Sequence, residues 1–335
     1  MFKKINSSIA TLLLVTSTAM AENTEVVIYD INPDPVLANA DTTNTKYRPF
    51  VVDKDEYPFK SHWYSRDGIS MHYVDEGEGI PIVLTHGNPD WSFLNRNIIK
   101  DMSKDARVIA FDLPGFGFSD TPPGYGYTPQ EHSEWVESLI FDHLKLDKFI
   151  MVVQDWGGPI GLNVATNHPD SIHGVVISNT WAWRSEGNLV EFSNMMRKPE
   201  MQKKLFDQNF FAAGFMPKYI NKESASNKAI TDAYAHAFPT PESRTGTAVF
   251  PKQIVDAGDW LERMESRLHT LSDKPVQLIF GMKDKAVGTP DIIERWRTHY
   301  PQADVLLLQD ADHFTPEDSP ESFSYSLRKI LKKIQ

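Results

Sequence analysis

Short apolar runs recur along the chain, separated by stretches with helical periodicity. Pro81-Ile-Val-Leu-Thr85, Arg107-Val-Ile-Ala-Phe111, Lys148-Phe-Ile-Met-Val-Val153, Ile172 to Ser178, Pro275-Val-Gln-Leu-Ile-Phe280 and Asp304-Val-Leu-Leu-Leu308 have the length and branched side chains of buried strands. Helices are expected from Ser92, read as a cap, to Met102; from Pro129 to about Leu144; from Gly161 to His168; over Asp291 to Tyr300; and over Ser319 to Ile334. Such alternation predicts a mostly parallel sheet with helices on both faces. Ahead of it, Ser61-His-Trp-Tyr-Ser65 and Ile69-Ser-Met-His-Tyr-Val74 alternate around Asp67-Gly68, a hairpin signal. From about Trp183 to Phe250 the alternation stops. Val190–Met196, Glu200–Asn209 and Ser226–Ala237 look helical with no strand between them, so an all-helical cap is expected over the C-terminal edge of the sheet.

The first residues follow a different pattern. Lys3 and Lys4 precede the apolar run Ile9-Ala-Thr-Leu-Leu-Leu-Val15, and Ala19-Met20-Ala21 is a small-x-small site before Glu22. This is the order of a secretory signal, too short to span a bilayer. Residues 22 to about 45 are polar, with Pro33 and Pro35, and read as an extended arm without a core. The expected organisation is therefore a signal peptide over 1–21, an arm over 22–45, a sheet core over 46–182 and 251–335, and a cap over 183–250. Export to the periplasm or medium follows. Net charge of −11 with no basic run argues against nucleic acid. The absence of cysteine removes disulfides, thiolate metal sites and cysteine nucleophiles.

The chemistry centres on Val153-Gln154-Asp155-Trp156-Gly157-Gly158. A strand, a sharp glycine-bearing turn and a helix form the context of a nucleophile elbow, with Asp155 at its centre. A carboxylate attacking an acyl carbon would give an anhydride, whereas attack on a saturated carbon gives a stable alkyl ester. Asp155 therefore points to alkyl halides or epoxides. Asp284 and His313 also follow strands, and ligands gather at strand ends in open α/β sheets. The chain order nucleophile, acid, histidine is that of a hydrolase triad. An aspartate titrates near 3.9 in water, so Asp155 needs no base. His313 is instead expected to deprotonate the water that cleaves the ester, with Asp284 orienting the imidazole. Asp310 and Asp312, next to His313 in sequence, are poorly placed to reach its far nitrogen. Backbone N–H groups of Trp156 and Asn88, the latter in His86-Gly87-Asn88-Pro89, are candidates for the oxyanion hole. Their indole and amide donors suit a departing halide, which needs no proton. An epoxide oxygen would want an acid, and Tyr219 and Tyr234 lie in the cap, so that chemistry stays open. The scheme uses no metal and no cofactor.

The stretches Tyr73-Val-Asp-Glu-Gly77, His86-Gly-Asn-Pro-Asp-Trp91, Asp112-Leu-Pro-Gly-Phe-Gly-Phe-Ser119, Val153-Gln-Asp-Trp-Gly-Gly158, Ala237-Phe-Pro-Thr-Pro241 and Phe250-Pro251 resemble the haloalkane dehalogenases of the α/β-hydrolase superfamily. The similarity runs from about residue 46 to the C-terminus. It implies an α/β-hydrolase fold with an inserted cap, Asp155 as nucleophile, and Trp156 with Asn88 as the halide-binding pair. One branch of the family carries its acid as Glu after the sixth strand, where this chain has Ser178-Asn179-Thr180. The resemblance is thus to the branches with Asp after the seventh strand, here Asp284. Another branch takes a second halide donor from a cap Trp. None lies between Arg184 and Lys252, which favours Asn88, and Trp181 and Trp183 are expected to line or pack the pocket. The implied substrates are a small halogenated hydrocarbon and water. An epoxide hydrolase of the same fold, with cap tyrosines as acid, is the alternative. An exported binding protein would have lost Asp155, Asp284 or His313, and all three are present.

Overall fold

A computed structural model of the chain describes residues 50–334. The expected signal peptide and arm lie outside them. One eight-stranded sheet runs through the molecule: β1 (His62–Arg66), β2 (Ile69–Glu76), β3 (Pro81–Leu84), β4 (Arg107–Phe111), β5 (Phe149–Gln154), β6 (Ile172–Ser178), β7 (Val276–Gly281) and β8 (Asp304–Leu308). Their spatial order is β1-β2-β4-β3-β5-β6-β7-β8. The β1–β2 and β2–β4 pairs are antiparallel, and the pairs from β4 to β8 are parallel. Parallel neighbours need crossovers, and these cover both faces with helices. Every residue of β5 and β7 is therefore buried, and apart from Gln154 and Gln277 their sequences are apolar rather than alternating.

Several elements differ from expectation for local reasons. Ser92 does not cap its helix: its N–H donates to Asp112 Oδ1 at 2.8 Å and its hydroxyl pairs with Tyr57 Oη at 2.6 Å. The segment begins as a 3₁₀ turn, Ser92–Asn95, and becomes α-helical only over Arg96–Met102. Thr128 does cap, in a reciprocal pair with Glu131 that satisfies two otherwise free N–H groups at the start of Pro129–Ser138. The last turn before Leu144 widens into a π-helix, Leu139–His143.

Between β6 and β7 the described elements are all helices. Gly187–Met196 and Pro199–Gln208 begin as expected to within a few residues. The helix expected over Ser226–Ala237 is two, Lys222–Ser226 and Lys228–His236, because Asn227 turns its side chain onto the Ala229 N–H and starts a new helix. The boundary expected at 250/251 falls inside one helix, Thr245–Asp256, in which Phe250 and Ile254 are both buried, four residues apart. A second helix, Gly258–Glu265, follows before β7. Met196, Leu205, Phe211 and Ala248 form a small core of their own in this region. Other residues of the helical region, among them Ile230, Phe238 and Phe250, share the main apolar core with the sheet. A buried polar cluster adds to the link: Glu317 accepts from Arg96 Nη2 at 2.8 Å, from Ser224 Oγ at 2.6 Å and from Tyr234 Oη at 2.6 Å. Among the described residues no helix is long and apolar enough to cross a membrane.

Candidate active site

Asp155 occupies the single residue gap left between β5 and Trp156, ahead of the helix Gly157–Asn167. Its φ of 46° lies in the left-handed region, a costly conformation for any residue with a side chain. The surroundings hold it there. Its N–H donates to Asn179 O at 3.1 Å, and its carbonyl accepts from Gly158 N at 2.9 Å and Thr180 Oγ1 at 2.6 Å. The turn is packed so closely that a Cβ on Gly87 would collide with the Asp155 carboxylate, and one on Gly158 with Thr180. Glycine is required at both positions for space.

The expected site residues come together around this carboxylate. Oδ1 accepts from the Asn88 backbone N–H at 2.8 Å, and Oδ2 lies 3.3 Å from His313 Nε2. The other ring nitrogen, Nδ1, lies 2.8 Å from Asp284 Oδ2. Asp312 is occupied with the His313 backbone N–H at 2.9 Å and does not meet the ring. No hydrogen bond joins the Trp156 N–H to the Asp155 carboxylate, so Asn88 alone of the two expected backbone donors engages it here.

Electrostatics follow from the stacking of charges. Burial opposes charge on His313, but the Asp284 and Asp155 carboxylates on either side outweigh it and push its pKa well above the usual 6.5. Burial likewise opposes charge on Asp284, and the His313 cation, the hydrogen bond to it and the Asn179 amide hold its carboxyl below the ordinary value.

Trp156 is 2% exposed, stacked on Phe250 with ring centres 5.2 Å apart and edge-on to Trp181 at 4.9 Å. Its indole N–H meets no protein acceptor among the described residues, unlike those of Trp91 and Trp296, which donate to backbone carbonyls. Asn88, Asp155, Trp156, Asp284 and His313 line the floor of a 440 Å³ cavity; Leu189, Phe192, Phe211, Phe215 and Ile254 close it from the helical region. Trp181 and Tyr219 also face it. Trp183 does not: the Arg295 guanidinium lies over its ring, and it packs at a tilt against Trp296. Tyr234 is buried away from the cavity, its hydroxyl spent on Glu317.

Two functional neighbours escaped sequence reasoning. Asn179 donates to Asp284 Oδ2 at 2.8 Å and to Gly281 O at 3.2 Å, and accepts from Gly281 N at 2.7 Å, so it ties the acid's loop to the end of β6. Gln154 donates to the His313 carbonyl at 3.0 Å and anchors the histidine loop. Both stand beside positions already singled out, so adjacency was the only available signal. A second Ser-His-Asp chain also exists. Ser61 Oγ lies 3.0 Å from His72 Nε2, and His72 Nδ1 lies 2.8 Å from Asp112 Oδ2. All three are fully buried, and Asp112 also accepts from Ser92 and Phe118 backbone N–H groups, so this chain fastens loops and has no access to substrate.

The chain and its fold are similar to those of known proteins. Residues 80–320 match the family described as alpha/beta hydrolase fold. Haloalkane dehalogenase 2 of Mycobacterium bovis is 39% identical over 280 residues, covering 83% of this chain and 97% of that protein. A cis-3-alkyl-4-alkyloxetan-2-one decarboxylase of Shewanella oneidensis is 30% identical over 287 residues, covering 83% and 90%. The crystal structure of the haloalkane dehalogenase DatA from Agrobacterium tumefaciens superposes with a TM-score of 0.73 at 28% identity, covering 82% of this chain and 97% of that one.

Proposed function

The chain belongs to the haloalkane dehalogenases of the α/β-hydrolase fold, and from that membership we propose how its own residues turn a haloalkane and water into an alcohol, a halide and a proton. One observation carries the reading: the Asp155 carboxylate lies between the Asn88 N–H and His313 Nε2 on the floor of a mostly apolar cavity. Asp155 attacks the halogen-bearing carbon. The new carbon–oxygen bond forms as the carbon–halogen bond breaks, and the bonding pair leaves with the halide. The free Trp156 indole N–H and the Asn88 amide receive that anion. The apolar walls exclude water that would otherwise solvate both carboxylate and halide.

Esterification removes the negative charge of Asp155. His313 then loses one of the two carboxylates that raise its pKa. It releases its proton to solvent, which is the proton of the overall reaction, and becomes the base that the second step needs. Water gives a proton to His313 Nε2 and attacks the ester carbon of Asp155. The Asn88 backbone N–H, already on that carboxyl group, stabilises the oxyanion. Collapse expels the alkoxide, which takes the proton of the hydroxyl added by water and leaves as alcohol, regenerating the Asp155 carboxylate. His313 keeps the proton it took from water, and Asp284 stabilises that imidazolium.

The epoxide alternative calls for a cap acid. Tyr234 is committed to Glu317, which leaves Tyr219. The test is product analysis over chloro-, bromo- and iodoalkanes, with an epoxide and a cis-oxetan-2-one alongside. Halide and alcohol in equal amounts support dehalogenation. Diol formation, or decarboxylation of the lactone, faster than any halide release would overturn it. The Lys3, Lys4 and Ala19-Met20-Ala21 pattern supports export to the periplasm or medium.

A further inference from the structure

The helix Thr245–Asp256 carries Pro251 in its interior. Proline is the least favourable residue in a helix interior, because it lacks the N–H that would bond the carbonyl four residues back. Here that carbonyl belongs to Thr247. It is not left empty: the Asn88 side-chain Nδ2 donates to Thr247 O at 3.4 Å, joining residues 159 positions apart. The other end of the same amide, Oδ1, is buried without a partner. A flipped amide would set Oδ1 against the Thr247 oxygen, two acceptors with no proton between them. The carbonyl therefore dictates which end of Asn88 is the donor end, and the second N–H of Nδ2 stays unspent. Asn88 and Pro251 both line the cavity beside Asp155 and Trp156.

We propose that Pro251 is a positioning residue for halide release. By withholding one helical N–H it frees the Thr247 carbonyl to hold the Asn88 amide in the orientation that offers an N–H to the departing halide. This rests on the reading of Asn88 as a halide donor. Any other residue at 251 would bring a backbone N–H that competes for the same carbonyl. The helix thus gives up local stability at the turn that faces the halide pair.

The test is Pro251→Ala in the full-length enzyme, read by bromide affinity from tryptophan quenching, by kcat and by thermal melting. Alanine restores the helical hydrogen bond, so the melting temperature should hold or rise. Loss of a held donor should weaken bromide binding about five- to tenfold, the scale of one hydrogen bond, with kcat falling alongside. The decisive comparison is the cycle with Asn88→Ala. If Pro251 acts through Asn88, adding Pro251→Ala to Asn88→Ala changes bromide affinity no further. Wild-type bromide affinity in Pro251→Ala, or the same loss in both backgrounds, would overturn the proposal. Unchanged bromide binding in Asn88→Ala would instead remove the halide role of Asn88 itself, and the inference with it.

Discussion

His313 Nε2 lies 3.3 Å from Asp155 Oδ2, and that carboxylate is one of the two that favour the charged imidazole. In the resting site the imidazole stands between two carboxylates and holds its proton. Once Asp155 is an ester only Asp284 remains to favour the cation. The nucleophile's own reaction thus switches the histidine from acid form to base form.

The first prediction separates the two chemical steps. His313→Phe should still alkylate Asp155 and then stop. Mixed with a good bromoalkane it should release about one halide per active site, and intact-mass analysis should find one alkyl group on the peptide carrying Asp155. In wild-type enzyme turned over once in ¹⁸O-water, the label should enter the Asp155 carboxylate and not the alcohol. Continuous turnover by the variant near the wild-type rate would refute the mechanism.

The second concerns pH. The imidazole resonances of His313 should titrate well above 6.5 in the resting enzyme, and at a lower pH in Asp155→Asn, which mimics the uncharged ester. The sign for stability follows from the raised pKa. The His313 cation contributes fully below the unfolded value of about 6.5, and the contribution is lost as pH rises through the folded value. Asp155→Asn should therefore cost most stability at low pH. An unchanged His313 titration in that variant would contradict the coupling.

A third prediction addresses halide release. Trp156→Phe keeps the ring that packs on Phe250 and the backbone donor but loses the indole N–H. A hydrogen bond to an ion is worth ~1.5–3 kcal/mol, so turnover should fall roughly ten- to over a hundredfold. Chloride affinity should fall with it, as measured by calorimetric titration. Unchanged chloride affinity would rule the indole out.

The fourth concerns stability. Arg96 and Glu317 form a bidentate pair with both side chains nearly sealed from solvent, and Glu317 also holds Ser224 and Tyr234. Removing one partner of such a pair costs ~3–5 kcal/mol, because the other is left charged and buried. Glu317→Ala should lower the unfolding free energy by that much at neutral pH, as read from denaturant titration. Burial opposes the charge of Glu317, yet Arg96 holds its pKa below the ordinary value. The stabilisation is thus present above the unfolded carboxylate pKa and lost as pH falls through the folded one, and the gap between variant and wild type should narrow in acid.

The last is the mature N-terminus. Protein recovered from the periplasm or medium should begin at Glu22, and active cytoplasmic protein that retains Met1 would refute export.

The order of strands and helices was legible in the sequence because burial of the sheet on both faces forces continuous apolar runs at strand length. The clustering of Asp155, Asp284 and His313 was legible too. These residues follow strands in parallel neighbours, and a parallel sheet gathers such residues at one edge whatever the distance between them in the chain. Asp155, Asp284 and His313 needed only chain order and residue type to be named. Tertiary structure alone decided which hydrogen-bonding groups are spent and which are free. Tyr234 and Tyr219 look alike in sequence, but Glu317, far along the chain, consumes the first and leaves the second facing the cavity. Asn179 and Gln154 gained their roles from the loops they happen to meet, and Thr247 from a proline that removed its usual donor. Hydrophobic burial has a period that a sequence displays. Hydrogen-bond satisfaction has none, since each donor takes whichever acceptor the fold brings within about 3 Å of it.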